Sequence, residues 1–492
     1  MGRRTPHEPD GDWDDPPYDS GPDAGPDAGL FASGTRWLVV SIVVLCLSLA
    51  AAGVELLFPD ELATLAGAPQ LAWRAGTPPG PLPPVLAAAA GNAAVPTVDG
   101  ITRALGPVLA DPALGGHPVV SVLDIATGEQ LYERGSTTAA VPASTTKLIT
   151  AVTVLAARGP AYRLTTRVVA GQSPGEVVLI GGGDATLAAG ANATYPGAAR
   201  LDDLATQVKR ALGSTAPTRV VIDGSLFPGP ATGPGWDSDV ASTGYAANIT
   251  ALMIDGARTT AASPHGNAPR SAQPDLAAGQ AFAAALGLPA SAVIRGTAAA
   301  QASQLGSVQS PPMVRLVEQM LLESDNVLAE CLSRQVALAR NQPGSFSGAA
   351  AATKTVLGEL GLPAEADGLV DGSGLSRANR LSPALLTQAL TLAARSSLPQ
   401  LSGVFGGLPV AGYSGTLRDR YRKPSAGGSA IGLVRVKTGT LSGVSAIAGI
   451  AVDADGRTLA FAVIAEGVSA DAAPSQEALD RVAAALAGCG CR

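Results

Sequence analysis

Two hydrophobic periods divide this chain. Residues 119–135 (VVSVLDIATGEQLYERG) carry two alternating apolar segments around Thr127-Gly128, a pattern that predicts a β-hairpin. Three more strand-like runs follow near the other end, at 431–437, 445–452 and 459–465, the last two joined across Asp455-Gly456. Hairpins this far apart in sequence but alike in character most simply share one antiparallel sheet, with helices over its faces. Helical spacing appears at 476–486, 313–323 and 326–339, and 148–157 (LITAVTVLAA) is apolar on all sides. A helix without a polar face is buried, so 148–157 is predicted to be the central helix, ending at Gly159. That places Ser144 at its N-terminus and Ser324-Asp325 at the junction of two helices. The stretch 166–300 differs from both flanks, with short strand-like runs (167–170, 177–180, 219–222) between Gly-rich turns. It reads as an inserted domain within a body formed by 99–165 and 301–492.

The first hundred residues have another character. Residues 37–54 form an unbroken apolar run of membrane-spanning length, so 37–57 is expected to be a transmembrane anchor or a signal sequence cleaved near Ala50-Ala51-Ala52. Either way the bulk of the chain lies outside the cytoplasm; for an anchor, Arg36 on the N-terminal side places residues 1–36 in the cytoplasm. Those residues hold eight acids against three arginines and are too Asp/Pro/Gly-rich to fold, while 58–98 reads as a Pro/Ala-rich linker.

Composition adds one constraint and two exclusions. With 46% hydrophobic but only 4% aromatic residues, the core must be built from Ala, Val, Leu and Ile. A net charge of -7 and the lack of any basic face argue against a nucleic-acid partner. The three histidines are scattered and share no ligand spacing with the four cysteines, so no metal site is expected. Cys46 falls in the apolar run. Of the exported cysteines, Cys331 is expected to pair with Cys489 or Cys491 in an oxidising compartment.

Against twenty-eight arginines stand five lysines, and two of these sit in short motifs that need an amine. Lys147 ends Ser144-Thr145-Thr146-Lys147, Lys437 opens Lys437-Thr438-Gly439, and Ser324-Asp325-Asn326 lies between them. A desolvated lysine loses its proton near neutral pH, whereas arginine does not. Serine and lysine three apart on a helix share a face, so the amine reaches the hydroxyl and takes its proton. Lys-Thr-Gly at the end of a strand offers a free edge to a peptide, close approach at the glycine and a charge for a carboxylate. Each motif alone is weak, because Ser and Asp start helices for purely structural reasons. Their order, each on its expected element, carries the inference.

This trio is the known signature of class A β-lactamases and penicillin-binding proteins. The long interval from Ser144 to Ser324, with room for an insert, separates this chain from the compact β-lactamases. It resembles the class C low-molecular-mass penicillin-binding proteins, the D-alanyl-D-alanine carboxypeptidase/endopeptidase family, over residues 100–487. Further likenesses are GGGDATL from Gly181, Gly235-Trp236, TALM from Thr250, DGSGLSRANRLSP from Asp371 and GTLRDR from Gly415. The resemblance implies an α+β fold of the penicillin-binding/serine β-lactamase type, an antiparallel sheet flanked by helices with a large insert. It implies Ser144 as nucleophile, Lys147 as base, Ser324 as proton relay and Asn326 as a ligand of the peptide amide. Lys437, Thr438, Gly439 and Thr440 would form the carboxylate-binding strand, and the Ser144 and Thr440 amides an oxyanion hole. Asp371 and Ser373 would line or support the cleft. The implied substrates are peptidoglycan stem peptides, the inhibitors β-lactams, and no cofactor is needed. Alternatives are a catalytically idle wall-binding scaffold or β-lactam sensor on the same fold, or a β-lactamase or esterase.

Overall fold

The computed structural model describes residues 93–260, 267–363, 368–421 and 428–491, all within one compact unit spanning Leu82–Arg492. In chain order the regular elements are α1 (Val98–Leu109), β1 (Val119–Asp124), β2 (Gln130–Arg134), α2 (Thr146–Arg158), β3 (Thr165–Ala170) and β4 (Glu176–Ile180). Next come α3 (Leu201–Leu212), β5 (Arg219–Asp223), α4 (Pro274–Leu286), β6 (Val293–Arg295), β7 (Gln304–Gln309), α5 (Met313–Leu322), α6 (Asn326–Ala339) and α7 (Phe346–Glu359). The chain closes with α8 (Pro383–Ala393), α9 (Gly403–Gly407), β8 (Val434–Leu441), β9 (Val444–Val452), β10 (Thr458–Glu466) and α10 (Ala473–Ala487).

The hairpins at the two ends do share one sheet, ordered β2-β1-β10-β9-β8 and antiparallel throughout. Its central strands β9 and β10 are buried almost end to end because both faces are covered. Alternate residues serve alternate cores, as the period of two requires. Ala446, Ala448, Ile450, Ala460, Ala462 and Ile464 pack toward α2, α6 and α8, whereas Ile447, Ala451, Leu459, Phe461, Val463 and Ala465 pack toward α1 and α10. Helix α2 is buried over its first ten residues, as its all-apolar face predicts.

The second sheet, β6-β5-β4-β3-β7, mixes parallel and antiparallel pairs and is backed by α3 and α4. It runs from Thr165 to Gln309 and so overruns the 166–300 window at both ends. β7 escaped notice because Gln304-Leu-Gly-Ser-Val-Gln309 lacks a clear apolar alternation.

Two sequence expectations are corrected. The strand expected at 431–437 lies at Val434–Leu441, since Ile431 and Leu433 are exposed beyond the short Gly428–Ala430 turn. Lys437-Thr438-Gly439 therefore sits mid-strand instead of ending one. Nor does Cys331 bridge to the C-terminus: it is a free thiol buried on α6 within the helical core, and Cys489 pairs with Cys491 across a Cα separation of 4.9 Å. The tail packs on the opposite core, where the Thr97 amide donates to the Cys491 carbonyl. The expected anchor at 37–57 lies outside the described residues, and no described helix is long and apolar enough to cross a membrane.

Candidate active site

Pro142, itself in a helical conformation, opens the short helical turn Ala143–Thr145, which leads directly into α2. Ala143 adopts φ +47°, a left-handed conformation unusual for alanine, and this sharp entry presents Ser144 to a cleft while Lys147 points inward. Two glycines let other segments close over the turn. A Cβ on Gly439 of β8 would lie 2.8 Å from the Pro142 carbonyl and 2.9 Å from the Ser144 amide. At Gly374, with φ +84°, it would lie within 1.9 Å of the Ala143 carbonyl. Both positions therefore exclude a side chain.

Lys147 is fully buried, and its Nζ lies 3.0 Å from Ser144 Oγ. Two other acceptors hold the amine, Asn326 Oδ1 at 2.6 Å and the Ser373 carbonyl at 2.7 Å. Burial lowers Lys147 from its ordinary 10.5 to about 8, against the opposing charges of Asp371, Glu330 and Asp325. At neutral pH about one molecule in ten then carries the free amine.

Ser324 precedes α6 at φ +56°, in the left-handed region like Ala143. Asp325 caps α6 through the Leu328 amide at 3.0 Å and accepts the Tyr195 hydroxyl at 2.6 Å, with Arg258 at 3.4 Å. Burial opposes its charge, but Arg258, Arg270, the Leu328 amide and Tyr195 outweigh that and pull the carboxyl down to about 2. Asn326 is engaged at both ends, since its Nδ2 donates to the Tyr245 carbonyl at 3.0 Å. These two bonds use one oxygen lone pair and one N–H of the carboxamide, which also lines the cleft.

β8 is the edge strand of its sheet. The Val434 carbonyl and the Val436 amide bond outward to Ala411 and Pro409. Orientation alternates along a strand, so the main-chain groups of Thr438 and Thr440 also face away from β9, onto the edge beside Ser144. Lys437 is fully buried and donates to the Thr438 carbonyl at 2.7 Å. Burial, then the positive charges of Lys147 and Arg420, depress its pKa well below the ordinary lysine value. The cleft in front measures roughly 750 Å³, a common size for a ligand site; Ser144, Tyr245, Ser324, Asn326, Thr438 and Thr440 line it together with Asp237 and Arg270 of the insert. Among the described residues no cluster of His, Cys, Asp or Glu could hold a metal ion.

The structure thus gathers the eight candidate site residues: Ser144, Ser324, Asn326, Thr438 and Thr440 line the cleft, Gly439 packs on the nucleophile turn, and Lys147 and Lys437 are buried beside them. Sequence reasoning missed Tyr195, Arg258 and Glu330. Tyr195 and Arg258 lie far away in the insert and give no local signal. Glu330 was available in principle, because it stands one turn after Asn326 on the same face of α6.

Residues 101–267 and 254–486 match the D-Ala-D-Ala carboxypeptidase 3 (S13) family. The chain is 42% identical over 428 residues to a carboxypeptidase of Mycobacterium tuberculosis, covering 85% of this chain and 91% of the relative. It is 40% identical over 469 residues to the carboxypeptidase DacB of Mycolicibacterium smegmatis, covering 93% and 99% respectively. The fold matches the crystal structure of penicillin binding protein 4 (dacB) from Haemophilus influenzae with a TM-score of 0.62 at 21% identity, over 78% of this chain and 97% of that one. Together these define a low-molecular-mass class C penicillin-binding protein, a hydrolase of the D-Ala-D-Ala carboxypeptidase type. The chain belongs to the D-Ala-D-Ala carboxypeptidase 3 (S13) family.

Proposed function

We propose that this enzyme removes the terminal D-alanine of peptidoglycan stem peptides through an acyl-enzyme on Ser144. The observation that carries the reading is the environment of Lys147 Nζ. A neutral amine has two N–H donors and one lone pair. Asn326 Oδ1 and the Ser373 carbonyl accept the two donors, which leaves the lone pair for the Ser144 hydroxyl 3.0 Å away. The bond from Ser144 Oγ to the penultimate D-alanine carbonyl forms as the lysine takes the proton. The outward Thr440 amide and the Ser144 amide hold the developing oxyanion. The C–N bond then breaks, and Ser324, on the cleft wall, relays a proton from Lys147 to the departing amine. Water completes the cycle by hydrolysing the ester.

Thr438 and Thr440, on the cleft wall, hold the terminal carboxylate of the substrate, and the Lys437 charge buried behind them favours it. Gly439 lets that strand lie against the nucleophile turn. A β-lactam, which carries both the acylating carbonyl and the carboxylate, acylates the same serine and blocks it. Residues 37–57 tether the enzyme to the membrane, or direct its export, with the catalytic body outside. That reading rests on the length and apolarity of the run.

Mass spectrometry of muropeptides tests the function. Uncross-linked pentapeptides should lose one D-alanine, and any cleavage of cross-linked dimers measures an endopeptidase component. Pentapeptides left intact by enzyme that binds penicillin would favour the idle-sensor alternative.

A further inference from the structure

The 371–376 segment is gripped from two sides by buried carboxylates. Asp371 accepts from the Gly374 amide at 2.8 Å, the Ser376 amide at 2.7 Å, Asn379 Nδ2 at 2.7 Å and the Trp236 indole at 2.8 Å. Glu330 takes the other side. It is wholly buried on α6, its Oε1 accepts the Ser373 amide at 2.8 Å, and both of its oxygens approach the Gly372 amide at 3.1 and 3.2 Å. Arg334, one turn further along, lies 3.4 Å from Oε2 and is itself buried against the rings of Phe346 and Phe227.

Asn326 and Glu330 are four apart on α6 and so share a face. The first accepts one N–H of Lys147 directly. The second holds the peptide whose Ser373 carbonyl accepts the other. One helix face thereby governs both acceptors that leave the lysine lone pair to Ser144.

We propose that Glu330 is a positioning residue for acylation: it fixes the Ser373 carbonyl against Lys147, and its charge sets how readily that lysine gives up its proton. This rests on Lys147 acting as the base. The groups around the pair are Arg334 and Cys331 on α6, Asp325 at its cap, Asp371 on the loop and Lys437 on β8. Burial, then the Asp371 charge, push Glu330 above the ordinary glutamate range, while Arg334 and the Ser373 and Gly372 amides favour its charged form, and that charge raises Lys147. A glutamine cannot reproduce the arrangement. If its oxygen takes the amides, its NH2 faces the Arg334 guanidinium; if flipped, N–H meets N–H.

The test is the second-order acylation rate of the full chain with a chromogenic β-lactam from pH 6 to 10, normalised to the active sites titrated by labelled penicillin. Glu330→Gln should lower the rate at pH 8 by about tenfold or more. It should also move the acid limb to lower pH by about half a unit or more, because an amine without its neighbouring anion deprotonates sooner. Glu330→Asp keeps the charge, so it should leave the limb in place while slowing the reaction. Wild-type rate and limb in both variants, or loss of thermal stability alone with normal rates per active site, would overturn the proposal. Lys147→Arg in parallel separates the failures. If it acylates normally, the base assignment fails; if it is inactive while the Glu330 variants are normal, only the role of Glu330 fails.

Discussion

Lys147 and Lys437 are both fully buried, yet the surroundings treat them differently. Three carboxylates support the charge of Lys147 against burial, whereas Lys437 faces only the further positive charges of Lys147 and Arg420. For Lys147 the consequence is a usable base near neutral pH. Lys147→Arg should reduce acylation at least about a thousandfold across the pH range, since a guanidinium keeps its proton. Near-normal stopped-flow rates would remove Lys147 from that role. For Lys437 the consequence concerns binding. Its depressed pKa means that the free enzyme loses this charge as pH rises, while a substrate carboxylate favours the protonated form. KM for a D-Ala-D-Ala peptide should therefore rise toward alkaline pH, and an amidated analogue should lack the trend. A KM independent of pH would show that Lys437 does not pair with the carboxylate.

At the scale of elements, the start of α6 is where the insert meets the catalytic motif. Tyr195 and Arg258 pin Asp325, and the residue before it, Ser324, stays in a left-handed conformation. Because the folded Asp325 sits at about 2 against an ordinary 3.8, its stabilising contribution is complete above about pH 4 and is lost as pH falls toward 2. Asp325→Asn preserves the cap but takes the Asp325 charge away from the buried Arg258, which keeps Asp255 and the Tyr195 hydroxyl beside it, so it should cost about 2 kcal/mol at pH 7. In urea melts the variant should show a flatter decline than the wild type between pH 4 and 2. Parallel declines would mean that the pair contributes little. Gly439→Ala tests the second junction. A methyl group 2.9 Å from the Ser144 amide must push β8 off the nucleophile turn, so acylation should fall about a hundredfold. A purely structural lesion would lower the melting temperature without slowing the folded enzyme.

Across the whole molecule, what was legible in the sequence was what local period and short spacing encode. The outer hairpins, the all-apolar α2 and the helix pair around Ser324-Asp325 each carry their pattern within some twenty residues, and each is found in the fold. Less legible was whatever depends on distant partners. β7 joins its sheet through a polar segment, Tyr195 and Arg258 reach Asp325 from the insert, and Cys331 lies in a different core from the C-terminal cysteines. That last arrangement gives a direct check: non-reducing peptide maps should show Cys489 linked to Cys491, with Cys331 alkylated only after unfolding. A Cys331 peptide joined to the tail would contradict the packing described. That Ser144, set beside the Lys147 amine by the turn before α2, is the nucleophile is tested most directly by peptide mapping after reaction with labelled penicillin. A stable label is expected on the peptide carrying Ser144 and none on Ser144→Ala; label at any other residue, or undiminished labelling of Ser144→Ala, would contradict that role.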